Sequence, residues 1–231
     1  MRYLPSFAPA LVLTLSAQDL PVRLQGAQRL PADAIRALQG ELAASGQDRP
    51  YWDACLAYAL VSQLGAKEPK AMEALLDRTL KALEPRRDAE SLALAGACLG
   101  LKLGFKPMLG MTLSPQASGL FTQALKAAPG NPRALLFQGI HALHTPAFAG
   151  GGPEKALPIL EAAARAADGE QAPADPWAPC WGRAESRAWL ALALHKAGRA
   201  GEARANLDKA LALDPAYGFA RFVVLPQVGA K

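Results

Sequence analysis

Redox and metal chemistry have little to work with in this chain. Its 231 residues include three cysteines and three histidines. Cys55, Cys98 and Cys180 stand 43 and 82 residues apart, with no C-x-x-C pair and no zinc-like spacing. Cys55 and Cys98 fall inside apolar runs of helical character, where a free thiol behaves as a small hydrophobe. Aromatic residues make up 6% and β-branched residues are sparse, while Ala and Leu are plentiful, a balance that disfavours strands and favours helices. The sequence therefore predicts an all-α protein. Charge of one sign is nowhere concentrated: 25 basic and 20 acidic residues are interspersed without a block of five, despite a formal net charge of +5. Nucleic acid is not an expected partner. No later segment reaches 18 consecutive apolar residues, so the chain is not expected to be membrane-embedded. A G-x-S-x-G elbow and a paired-carboxylate motif are also missing, and no enzymatic activity is expected.

What the chain does have is length enough to bury roughly 70% of its unfolded surface, so an ordinary apolar core can hold it without staples. It opens with MRYLPSFAPALVLTLSAQD: one Arg, an uncharged stretch from Tyr3 to Ala17 broken by Pro5 and Pro9, and small residues before Gln18 and Asp19. Residues 1–17 read as a possible signal peptide, which implies a periplasmic or secreted protein. Without cleavage the protein would be cytoplasmic. No Cys lies near Ala17 to carry a lipid.

The strongest pattern is an internal repeat near the C-terminus. In WLALALHKAGRAGEARANLDKALALDP, Ala191 is followed by Leu194, Gly198, Ala203, Leu207, Ala210 and Pro215, at steps of 3, 7, 12, 16, 19 and 24. Small residues stand where two helices would touch, a Gly stands at the turn, and a Pro closes the unit. Upstream, Gly139 and Ala142 pair with Ala156, Leu160 and Ala163, but Gly139 to Ala156 is 17 residues instead of 12, five too many. Further upstream, Gly96 and Leu99 pair with Ala117, Phe121, Ala124 and Pro129, with 21 residues from Gly96 to Ala117, nine too many. LGFKPMLGMTL is then a lengthened helix or a protruding turn. YWDACLAYALVSQLGAKEPKAMEALLDRTLKALEP has the right length, a closing Pro85 and a poorer pattern, as a capping unit would.

These units resemble tetratricopeptide repeats. The resemblance covers residues 50–221 and implies an antiparallel helix-pair solenoid, a TPR-like α-α superhelix. Residues 18–49 form an N-terminal segment with one extra helix starting at Pro31, and residues 222–231 form an apolar tail that covers the last repeat or lies in the groove. GEQAPADPWAPC, residues 169–180, reads as an external Pro-rich loop.

The five surplus residues sit in HALHTPAFAGGGPEKA, His141 to Ala156. Two histidines three apart could face a metal, but a third ligand is not in view and no acidic residue shares the turn. AGGGP before a helix start could cradle a phosphate, but it lacks the Walker Lys-Ser/Thr ending, Pro153 lacks a donor, and Glu154 is negative. A structural reading accounts for every residue: Pro146 closes one helix, Phe148 packs the insertion onto its neighbours, the glycines supply unusual backbone angles and Pro153 restarts a helix. The run is also similar to the inter-helix insertion of a bacterial tetratricopeptide subset that includes a periplasmic component associated with some TRAP transporters. No cofactor and no metal site is expected.

In the family, the first helix of each pair lines a concave groove where partners bind. Carried over by register, the resemblance places Tyr58, Ala93, Ala97, Arg133, Leu136, Ile140, His144, Ala188, Leu192 and His195 there, with Phe148 added by the insertion. This lining is mostly apolar and lacks the Lys, Arg and Asn cluster of an acidic-peptide clamp. The expected function is a non-catalytic module or scaffold binding a protein or peptide partner, with the bacterial cell envelope as its expected site of action. The alternative is a carrier holding an apolar small molecule or lipid-like ligand in the groove. A groove occupied by the chain's own termini is the structural competitor of both.

Overall fold

A computed structural model describes residues 19–47 and 49–229. The candidate signal peptide, residues 1–17, lies outside the described residues. The protein is all-helical, and no strand occurs among the described residues. The helices are α1 (Leu20–Leu24), α2 (Ala32–Ala44), α3 (Pro50–Leu64), α4 (Pro69–Leu83), α5 (Ala89–Phe105), α6 (Gly110–Ala127), α7 (Pro132–His144), α8 (Pro153–Gly169), α9 (Arg183–Lys196), α10 (Ala200–Leu213) and α11 (Leu225–Val228). Among the described residues, no helix is long and apolar enough to cross a membrane.

Local sequence sets the helix starts. Pro50, Pro69, Pro132 and Pro153 are the first residues of α3, α4, α7 and α8, where a fixed φ helps and the missing N–H costs nothing. Asp88 and Asn131 cap α5 and α7, their side chains accepting hydrogen bonds of 2.9 Å from the Ser91 and Ala134 amides.

From α3 to α10 the helices pair in sequence, α3 with α4, α5 with α6, α7 with α8 and α9 with α10, and each hairpin packs on the next. The small residues of the repeat pattern are the contact points. A Cβ added at Gly96 would fall 2.7 Å from the Phe121 ring, and one added at Gly139 would fall 2.6 Å from Leu160. In the last hairpin the equivalent Ala191 and Leu207 are both fully buried. Close approach of backbones there is what lets large side chains such as Phe121 and Leu160 fill the interface.

Both surplus stretches lie between the two helices of a hairpin. In the first, α5 runs on to Phe105, a single turn follows at Pro107–Leu109, and α6 begins at Gly110. In the second, a turn at Ala147–Ala149 joins α7 to α8. Gly150 and Gly152 there have φ of +85° and +98°, and a Cβ at Gly151 would meet the Thr145 carbonyl at 2.2 Å. Only glycine fits that path.

Two expectations need correction. Residues 169–180 are not an external loop throughout, because their C-terminal end turns inward. The Trp52 indole donates to the Trp177 carbonyl at 2.9 Å, and Trp181, just past the stretch, is buried. The many Pro, Gly and Ala residues around Trp177 and Trp181 read as surface composition, but the indoles have too much apolar area to leave in water. Phe148 does not pack the insertion onto its neighbours, since its side chain is 94% exposed. The insertion is held by its backbone instead, with Gly152 N–H donating to Ala142 O at 2.8 Å and Gly151 N–H to Pro146 O at 3.1 Å.

Candidate functional site

The faces of the first helices, where the resemblance places a groove, are covered by the chain itself. Leu20, Leu24 and Ala27 of the N-terminal segment are buried in the core. Gln28 donates to the Cys55 carbonyl on α3 at 3.2 Å, and Gln25 both donates to Ala178 O at 3.0 Å and accepts from the Cys180 amide at 2.8 Å. Arg29 reaches Asp214 at 3.0 Å and Glu185 of α9 at 3.7 Å. The connection before α9 adds Trp181, whose indole donates to the Tyr51 hydroxyl at 3.0 Å. The C-terminal segment adds Phe219, stacked on Trp189 with centroids 4.3 Å apart, and a buried Tyr217.

Several residues assigned to an open groove are thereby enclosed. Arg133 is 3% exposed. Its guanidinium pairs with Glu90 at 2.8 Å and Glu170 at 2.5 Å, and donates to Trp181 O at 2.8 Å. Burial alone would lower its pKa, but hydrogen bonding to Glu170 and the charge of Glu90 outweigh burial and raise it, so Arg133 stays charged. Leu136 and Leu192 are buried, as are Ala93, Ala97 and Ala188. None of these presents a surface to a partner; a short apolar groove is more stable with its own chain in it than with water. Tyr58 is half-buried edge-on to Phe137, with centroids 5.1 Å apart, and burial raises its hydroxyl pKa. Ile140 is partly buried against the core and His195 is half-buried.

The histidine pair before the α7–α8 insertion diverges. The His141 Nε2 lies 3.1 Å from Ser114 Oγ and 3.4 Å from Ser118 Oγ, with its ring against Phe121. His144 instead meets the edge of Trp189, with centroids 5.6 Å apart. Burial lowers the pKa of both, helped at His141 by the nearby His144 and at His144 by Lys196. Both imidazoles are neutral near pH 7. Among the described residues, no three His, Cys, Asp or Glu gather as a metal site. The three thiols are free, and burial pushes Cys55 up to about 12, far from a reactive thiolate.

His141 forms part of a cleft of about 280 Å³ between α6 and the α7–α8 connection. Ser114 and Ser118 come from α6; Gln138, His141, Ala142 and Thr145 from α7 and its end; Ala149, Gly150 and Gly151 from the insertion; Lys155 and Ile159 from α8. Met111 stands one turn before Ser114 on the same face of α6. Met108 and Met111 are 93% and 94% exposed, as is Phe148 at 94%, the residue before Ala149 of the cleft. Register arguments miss this site because Ser114, Lys155 and the two methionines lie outside the first helices. A signal was present: LGFKPMLGMTL holds more large apolar residues than a solvated turn needs.

No protein-family model matches the chain, and no curated protein matches it. Among solved structures, the chain is similar to the HusA haemophore from Porphyromonas gingivalis, with a TM-score of 0.59 and 23% identity over 78% of this chain and 93% of that one. At that identity the likeness speaks for a shared fold.

Proposed function

We propose that this chain is a non-catalytic carrier that holds an apolar small molecule at the edge formed by its two lengthened turns. The observation that carries the reading is the set Met108, Met111 and Phe148, each more than nine-tenths exposed, in the two stretches inserted between paired helices, Phe148 next in sequence to the cleft residue Ala149 and Met111 one turn before the cleft residue Ser114. Single exposed apolar residues are ordinary, but three large ones in the two insertions mark a surface that is dry when occupied. Thioethers are flexible and polarisable, which suits a ligand surface.

Two further points support it. A protein of similar fold is a haemophore, which fits a binding role better than a catalytic one. The helix pairs and their spacing support the tetratricopeptide-like reading, a scaffold that serves binding in preference to chemistry. The leader-like segment 1–17 favours a site of action in the bacterial envelope.

Native mass spectrometry of protein purified without detergent tests the proposal, together with fluorescence titration of haemin and of an apolar dye. The expected result is a small apolar species bound one to one, with affinity lost when Met111 and Phe148 are changed to Ser. Retention of a polypeptide and no small molecule would replace the carrier by a protein-binding scaffold.

A further inference from the structure

The cleft between α6 and the α7–α8 connection is not apolar throughout, and its polarity has a sign. Among the described residues no acidic side chain lines it, whereas Lys155 does, with the Ser114 and Ser118 hydroxyls, the His141 ring and the Gln138 amide. Among the described residues Lys155 makes no ion pair. The glycine loop does not hold an anion with its backbone. The amides of Ala149, Gly150 and Gly151 donate to carbonyls inside the turn and that of Gly152 to Ala142 O of α7, at 2.8–3.1 Å. Any anion entering the cleft must therefore be met by side chains.

Resting on the carrier reading, we infer that the ligand is an amphipathic acid: its carboxylate enters the cleft between Lys155 and the Ser114–His141–Ser118 cluster, and its apolar body lies against Met111 and Phe148. One positive charge faces the cleft, because burial keeps His141 neutral, and it matches the single charge of a carboxylate better than a phosphate dianion. The hydroxyls and the amide are rotatable donors that satisfy the remaining carboxylate lone pairs. A volume of about 280 Å³ holds a head group and the first part of a chain, with the rest left to the exposed side chains outside.

The test compares decanoate, decanol and decylamine by isothermal titration on the full chain, below their micellar concentrations. Decanoate is expected to bind about tenfold more tightly than decanol, as a charge-assisted hydrogen bond requires. That advantage should shrink to about twofold in Lys155→Met, an exposed position where folding is not at risk. Ser114→Ala should reduce it partly, and decylamine should bind most weakly. Equal binding of acid and alcohol would overturn the head-group inference while leaving the apolar carrier intact. Binding of none of the three would overturn both.

Discussion

Gly139 of α7 lies so close to Leu160 of α8 that an added Cβ would fall 2.6 Å from the leucine side chain. Leu160 is fully buried and has nowhere to move without opening a gap elsewhere. Gly139→Ala should therefore destabilise the protein by about 1–3 kcal/mol, despite the better helix propensity of alanine. Urea unfolding measures it. Gly96→Ala, against the Phe121 ring at 2.7 Å, should behave alike, whereas Gly104→Ala, with open space around it, should be neutral or stabilising.

That contact also shows what the sequence made legible. The spacing from Gly96, Gly139 and Ala191 to Phe121, Leu160 and Leu207 located the helix-to-helix contacts, because a small residue opposite a large one is a local requirement of close packing. The helix starts at Pro31 and Pro153 followed from proline geometry. Which surface stays open was not legible. It depends on where residues 20–30 and 177–181 come to rest, and those contacts join distant positions through polar groups with no periodic signal, Gln25 and Cys180 standing 155 residues apart. Phe148 was legible as important, but its direction was not, because turn backbone and not side-chain packing fixes it.

The Arg133 network should be intolerant of loss. One guanidinium ties Glu90 at the start of α5 to Glu170 after α8 and to the Trp181 carbonyl. Arg133→Met leaves two partly buried carboxylates facing each other without a cation, an arrangement that costs about 3–5 kcal/mol. Arg133→Lys should recover only part of this, since an ammonium cannot meet both carboxylates and a carbonyl in one plane. Thermal unfolding distinguishes the two variants, and comparable stability of Arg133→Met and the parent would show the network to be dispensable.

The exposed edge should behave in the opposite way. Met108, Met111 and Phe148 are so exposed that changing all three to Ser should alter stability by less than about 0.5 kcal/mol. Loss of an apolar-dye signal without a change in melting temperature is the expected pair of results. A large fall in stability would mean that these side chains pack in solution, and would remove the argument for a ligand surface.

Glu185 supplies a pH dependence whose sign can be worked out. Its carboxylate is buried at the start of α9 with no well-formed hydrogen bond, and burial raises its pKa although the charge of Arg29, 3.7 Å away, and the backbone amides at the helix start oppose the shift. Between the unfolded and the higher folded pKa the folded state holds the proton more tightly, so this group's contribution to stability falls as pH rises through that window. Above it, the folded protein carries the full cost of a buried charge. Glu185→Gln removes that cost and leaves Arg29 its contact with Asp214 at 3.0 Å. The variant should therefore be more stable than the parent near neutral pH, by about 1 kcal/mol, with the gain shrinking as pH falls from the raised folded pKa to the ordinary carboxylate value and gone below it. Denaturation curves across that range decide it: a variant less stable than the parent at neutral pH would mean that the attraction of Arg29 exceeds the burial cost, and that Glu185 holds the N-terminal segment in place as an ion pair.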